Sequence, residues 1–209
     1  MRRALLALVI FLPLIPAVAV AQGARFEVTP FVGYRLSGEI EDFADIGFDR
    51  PTDVEIDESA TYGLMFDIPL TRYWQIELSA SLQNTSFSAD EGLLSPSADL
   101  GDVDLGLYQV GFLLQWGDGQ VHPFGVASLG LARIEPDLVQ LDAENYFSGT
   151  LGGGVKIFFS ENVGFRLEGR ATWIDLGTDF DNHYHDDYYD DYYNITWMPE
   201  AAAGVIFSW

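Results

Sequence analysis

Apolar and polar residues alternate along most of the chain, the two-residue period of a β-strand. Eight such runs lie between Phe26 and Trp209. In the first, Phe26 to Ser37, one face carries Phe26, Val28, Pro30, Val32, Tyr34 and Leu36, and the other carries Glu27, Thr29, Phe31, Gly33, Arg35 and Ser37. The second sets Tyr62, Leu64, Phe66 and Ile68 against Thr61, Gly63, Met65 and Asp67. The third sets Trp74, Ile76, Leu78, Ala80 and Leu82 against Gln75, Glu77, Ser79, Ser81 and Gln83. In the fourth, Tyr108, Val110, Phe112, Leu114 and Trp116 share a face, while Val103, Leu105 and Leu107 have the opposite parity. That switch predicts a bulge or a later strand start. The fifth run, about Val121 to Ile134, is too rich in Gly and Ala to assign a facing. The sixth sets Phe147, Leu151, Val155, Ile157 and Phe159 against Thr150, Gly152, Gly154 and Lys156. The seventh sets Val163, Phe165, Leu167, Ala171 and Trp173 against Arg166, Glu168, Arg170 and Thr172. The eighth sets Trp197, Ala201, Ala203, Val205, Phe207 and Trp209 against Glu200, Ala202, Gly204 and Ser208.

Connections between the runs alternate in length. Residues 69–73, 117–120 and 160–162 are short; those near 39–53, 88–102, 135–145 and 177–194 are long. Consecutive antiparallel strands place all short turns at one end and all long loops at the other. The predicted fold is therefore all-β, an eight-stranded antiparallel up-and-down barrel. Period alone leaves two versions open, a soluble barrel with the apolar face inward or a membrane barrel with it outward. Volume decides between them. An eight-stranded interior holds its own side chains or one small ligand, and repeated Trp, Phe, Tyr and Leu would overfill it. The large apolar face is therefore assigned to lipid, where closure of the barrel bonds every backbone amide. The tryptophans agree: Trp74, Trp116 and Trp209 fall at the short-turn ends, Trp173 and Trp197 towards the long-loop ends, all on the outward parity. Two interfacial aromatic belts are expected from that placement.

Residues 1–21 are set apart from this pattern. Arg2 and Arg3 precede an apolar stretch from Ala4 to Val20, and Ala19-Val20-Ala21 has the small-x-small form of a cleavage site. This predicts a secretory signal peptide over 1–21 and a barrel domain over 22–209. No later segment has the 18 consecutive apolar residues of a membrane helix.

Charge adds direction to the picture. The net charge is −22, from 32 acids and 10 Lys and Arg. Nothing here would neutralise a run of phosphates, so no nucleic-acid partner is expected. With no cysteine, disulfides and thiolate metal sites are excluded. The spans 39–58, 88–104, 135–144 and 177–194 hold 24 of the 32 acids, with Arg50 their only Lys or Arg. The long-loop end is thus strongly acidic.

The segments FEVTPFVGYRLSG (26–38), HPFGVASLGLA (122–132) and AAAGVIFSW (201–209) resemble the bacterial outer-membrane β-barrel family, in particular its small eight-stranded barrels such as the transmembrane domain of OmpA, OmpW and the opacity-type surface proteins. The resemblance covers the whole chain after residue 21. It implies a place in the outer membrane after secretion to the periplasm, with outer-membrane lipid and lipopolysaccharide as surroundings. It also implies that the alternating C-terminal residues Ala203, Val205, Phe207 and Trp209 are the insertion signal read by the barrel-assembly machinery. The chain stops at the barrel, so the peptidoglycan-binding domain of some relatives is not expected.

The inward face carries Glu27, Arg35, Asp67, Glu77, Lys156, Arg166, Glu168, Arg170 and Glu200. Strand offsets divide them into two layers: Glu27, Asp67, Glu77, Lys156, Arg166 and Glu168 near the short-turn end, and Arg35, Arg170 and Glu200 nearer the middle. Buried charges need partners, so a salt-bridge network filling the lumen is expected, with a narrow path for ions or small solutes as the alternative. The last long loop repeats Asp186-Asp187-Tyr188-Tyr189 as Asp190-Asp191-Tyr192-Tyr193. His183 and His185 share a face when extended, and with Asp186 and Asp187 they form a candidate divalent-cation site. An EF-hand register from Asp179 fails, because Tyr184 replaces the turn Gly and Asp190 the bidentate Glu. A solvated loop for an extracellular partner fits the same residues. No cofactor is otherwise expected. A hydrolase needs a nucleophile and base within reach, and neither His122 with Ser128 nor the loop histidines has such a partner, so a lipid-modifying enzyme is the least favoured reading. The function expected is structural or surface interaction through acidic extracellular loops.

Overall fold

A computed structural model describes residues 25–40, 53–90, 98–136, 143–175 and 195–209. Ten strands appear: β1 (Glu27–Arg35), β2 (Gly38–Ile40), β3 (Asp53–Ile56), β4 (Ser59–Pro69), β5 (Trp74–Asp90), β6 (Ala98–Gln115), β7 (Val121–Pro136), β8 (Glu144–Phe158), β9 (Val163–Asp175) and β10 (Ile195–Ser208). They form one sheet in the order β2-β3-β5-β4-β1-β10-β9-β8-β7-β6, and the β5–β6 pairing closes it into a barrel. Every neighbouring pair is antiparallel.

The wall has eight staves, not ten. Arg35 pairs with Ser59 and Gly38 with Ile56, so β2 and β3 resume the β1–β4 ladder in the same register after a short interruption. A row of direct partners starting at Glu27 runs through Asp67, Glu77, Gly111, Ser128, Thr150, Thr172 and Met198, and returns to the first stave beyond Arg35. That climb is the strand tilt a closed barrel requires.

Facing follows parity around the barrel. Val32, Leu64, Leu78, Val110, Phe112, Leu129, Leu151, Leu167 and Phe207 are exposed on the outside. So much open apolar surface suits a lipid solvent and not water. Trp74, Trp116, Trp197 and Trp209 stand on the same outer surface. Trp173 shares their parity, half-covered where its ring meets Trp197 at 5.7 Å between centroids. Its ring also lies across Gly149, where an added Cβ would sit 2.0 Å from the indole.

Two expectations change. The parity switch at Val103 to Leu107 is neither a bulge nor a late start. β6 runs unbroken from Ala98, and Val103, Leu105 and Leu107 point into the lumen. The register irregularity lies higher, between Phe87 and Ser88. Those three residues pack with Ala132, Ile134, Ile174 and Met198, with Tyr146 against them. The long-loop half of the lumen therefore holds an apolar cluster, with Gln83, Thr85 and Thr196 buried beside it, because so narrow an interior is filled by side chains. The fifth run also gains its facing: Phe124, Val126, Ser128, Ala132 and Ile134 point in, and Val121, Leu129 and Leu131 point out. No helix among the described residues is long and apolar enough to cross a membrane.

Candidate functional site

The alternation that sends leucine and valine outward sends nine charged residues of β1, β4, β5, β8, β9 and β10 inward. All nine charged residues assigned to the lumen are buried there, and each has an oppositely charged partner. Lys156 on β8 donates through Nζ to Glu27 at 2.7 Å, Asp67 at 2.8 Å and Gln75 Oε1 at 2.8 Å. Arg166 on β9 donates to Asp67 at 3.2 Å, Glu77 at 2.6 Å and Glu168 at 2.7 Å. Its guanidinium stacks 4.4 Å from the Phe124 ring centroid. Arg170 donates to Glu77 and Glu168, each at 2.7 Å. Arg35 reaches across the β1–β10 seam to Glu200 at 2.8 Å, and also donates to Gln83 and Ser81. Thr61 completes Glu200 at 3.1 Å.

The layering differs from expectation at one residue. Arg170 joins the lower cluster through Glu77 and Glu168 and makes no ion pair with Glu200. Its stem runs over Gly152, where an added Cβ would lie 2.9 Å from Arg170 Cγ; a bare backbone there lets the guanidinium swing towards the short-turn end. Three cations thus meet four carboxylates in the lower cluster. Asp67 offers only Oδ2 to Lys156 and Arg166, and its buried Oδ1 has no hydrogen-bond partner among the described residues.

Neutral side chains seal the gaps between charges. Gln75 donates to Glu27 at 2.9 Å. Ser128 donates to Gln109, which donates to Ser148, both at 3.1 Å. These residues share the inward parity of their strands, and that parity is the signal that finds them. Phe124 escaped the sequence reading because its run was too Gly- and Ala-rich to face. Between the lower cluster and the Arg35–Glu200 pair, a void of about 20 Å³ is bordered by Arg170, Gln109, Thr150 and Thr172, space for roughly one water. Above it stands the apolar cluster around Leu105.

The other candidates fall elsewhere. Ala203, Val205, Phe207 and Trp209 all take the outward parity of β10, beside the seam with β1. Trp209 packs on Phe26 and Phe66, and the backbones of Phe26 and Trp209 exchange hydrogen bonds at 3.2 and 3.1 Å. His183, His185, Asp186 and Asp187 lie outside the described residues. Among the described residues, no group of three or more His, Asp or Glu is placed to hold a metal. His122 is bonded to its own turn at Gly119 O, 2.8 Å away, and Ser128 is engaged with Gln109 in the lumen.

Comparison with known proteins agrees with this geometry. The outer membrane protein beta-barrel domain family matches residues 7–196. The search of curated proteins finds no match. Among solved structures, the chain is similar to the outer membrane protein OprG from Pseudomonas aeruginosa, with 16% identity, a TM-score of 0.59, and coverage of 88% of this chain and 95% of that one. Neisserial surface protein A gives 14% identity, a TM-score of 0.55, and coverage of 88% and 97%. AlkL, solved in lipid bilayers, gives 12% identity, a TM-score of 0.57, and coverage of 88% and 90%. A closed eight-stranded wall with an apolar exterior, matched over most of its length by one family, makes this chain a member of the outer membrane protein β-barrel domain family, located in the outer membrane.

Proposed function

We propose that this barrel is a non-conducting outer-membrane protein that acts through its long-loop end as a surface-interaction module. The observation that carries this reading is the lumen: nine paired charges fill its lower half and middle, and an apolar cluster fills the part above. An ion entering would have to break charge-assisted bonds in a dry interior and then cross a hydrocarbon layer. The chemistry left for recognition is at the acidic long-loop end, which faces outside the cell on this reading. Its carboxylates and tyrosines suit divalent cations, lipopolysaccharide held through such cations, or a cationic protein partner. The C-terminal strand, with Ala203, Val205, Phe207 and Trp209 aligned on one face, is the segment presented to the assembly machinery. No catalytic role is assigned.

Planar-bilayer recording tests the central claim. The purified barrel is expected to give no reproducible unit conductance. A stable unit conductance that shifts when Lys156 or Arg166 is replaced would establish the narrow-channel reading in its place. That second reading has one observation in its favour, the small void between the two charge layers.

A further inference from the structure

A recess lies outside the lumen, on the lipid-facing wall near its long-loop end. Tyr62, Leu82, Gly106 and Arg133 are direct partners across β4, β5, β6 and β7. The row above, towards the long loops, is Asn84, Asp104 and Glu135. Gly106 has no side chain, so the wall is notched there, and the Tyr108 ring leans over the gap. The recess has a volume of about 160 Å³. A pocket that encloses a whole ligand holds roughly 300–1,000 Å³, so this one takes a single group of a larger molecule.

Depth and charge say which group. Exposed Tyr34, Tyr62 and Tyr108 stand with Trp197 on the outer surface at the long-loop end, the aromatic layer that marks the polar boundary of a bilayer. With the long loops outside the cell, that boundary is built of lipopolysaccharide. Its membrane base, lipid A, is a glucosamine pair carrying phosphates and acyl chains. Arg133 is the only Lys or Arg on the outward face of the strands among the described residues. Its contact with Glu135 is long, 3.4 Å, between half-exposed side chains, a weak pair that leaves the guanidinium fork free to turn to a phosphate. A phosphate alone would not stay. Asp104 and Glu135 are direct cross-strand partners, like charges side by side, and both would repel it. A divalent cation removes both repulsions. Mg²⁺ keeps several waters and is held by one or two carboxylates together with phosphate oxygens. Two carboxylates are too few for a cage made by protein alone, and the phosphate completes the set. Asn84 donates to Asp104 and accepts from Tyr62, which fixes that carboxylate's position.

We infer that this notch binds one phosphate of lipid A, with Arg133 on the phosphate and a divalent cation shared between that phosphate, Asp104 and Glu135. The inference rests on the orientation proposed above, and it places the lipopolysaccharide contact on the barrel wall beneath the loops. Cation and lipid each complete the other's site, so each strengthens the binding of the other by the same factor. The site is separate from the lumen, and it stands whether or not the barrel conducts.

Native mass spectrometry of the full chain in detergent tests it. The probes are diphosphorylated lipid A, fully dephosphorylated lipid A and inorganic phosphate, each in Mg²⁺ and in EDTA. The diphosphorylated lipid is expected to stay bound together with one Mg²⁺ and to be lost in EDTA, and the other two probes are expected to leave no adduct. Arg133→Gln should reduce retention by about fivefold. Gly106→Val changes no charge and meets only the movable side chains of Tyr108 and Leu82, but it fills the notch and should reduce retention as much. Asp104→Asn combined with Glu135→Gln should make retention the same in Mg²⁺ and in EDTA. Arg72→Gln serves as the control, because Arg72 pairs with Asp118 on the exposed short-turn end, and retention should be unchanged. Heat-modifiable gel migration checks that each variant is folded. Equal retention of the dephosphorylated lipid, an adduct of Mg²⁺ and inorganic phosphate alone, or retention unaltered in folded Arg133→Gln and Gly106→Val would overturn the assignment. Mg²⁺-dependent retention that ignores those two variants and disappears when residues 179–193 are replaced would overturn the notch and leave the loop-end reading standing. No retention of lipid A under any condition would remove both the notch and lipopolysaccharide as the partner.

Discussion

Lys156 donates three hydrogen bonds from a site with no solvent exposure, two of them to carboxylates on different strands. Removing its charge leaves Glu27 and Asp67 facing one another across β1 and β4. Lys156→Met is therefore expected to lower unfolding stability by about 3–5 kcal/mol, read as a fall in the urea midpoint in lipid vesicles. The carboxylates should not respond equally. Glu77 uses both oxygens, one on Arg166 and one on Arg170, whereas Asp67 uses only Oδ2. Glu77→Gln should thus be the costlier of the two amide substitutions and Asp67→Asn the milder, and equal losses would show that the bond count is not what matters. On the outside, Gly149→Val would drive a side chain into the Trp173 ring. It should cost about 1–3 kcal/mol and alter tryptophan fluorescence. Parity alone placed all nine lumen charges, since each was the polar residue of an alternating run. It did not show which cation meets which anion. Arg170 turns towards Glu77 because Gly152 leaves it room, a three-dimensional fact that strand offsets do not contain.

At the level of strands, runs that alternate cleanly were read correctly, and those that do not were the ones misread. From Gln115 back to Tyr108, β6 sets large apolar residues outside against Gln109, Gly111 and the buried Leu113 inside; from Leu107 towards the long loops it places Leu107, Leu105 and Val103 inside and Gly106 and Asp104 outside. A rule that equates lumen with polar side chains fails there, because the upper lumen is filled by side chains. β7 hid Phe124 for a related reason: its small residues weaken the contrast between faces. The interruption between β1 and β2 was also outside the reach of the pattern, since the ladder resumes in the same register. Residues 176–194, between β9 and β10, lie outside the described residues. β9 and β10 pair from Ile195 with Asp175 to Phe207 with Val163, a ladder that does not depend on the segment between. Replacing residues 179–193 by a short turn is expected to leave heat-modifiable migration unchanged. It should abolish any Ca²⁺- or Zn²⁺-dependent rise in melting temperature, and a rise that persists would place the cation elsewhere.

For the molecule as a whole, the apolar exterior, aromatic ends and acidic loop spans fit one orientation in one solvent, the lipid bilayer. Fold and location were legible because lipid enforces alternation on every stave at once. The occupants of the acidic end were not, since the sequence of those spans carries no period to read. The joint between β1 and β10 has a further consequence. The first stave to be synthesised bonds to the last, through Arg35 and Glu200 as well as the backbone. Nothing before Ile195 can shut the cylinder, so a barrel that lacks β10 is left with two raw edges, at β1 and at β9. Unfinished chains should consequently be degraded rather than accumulate in the membrane fraction, and pulse labelling of a truncation at residue 194 would show it.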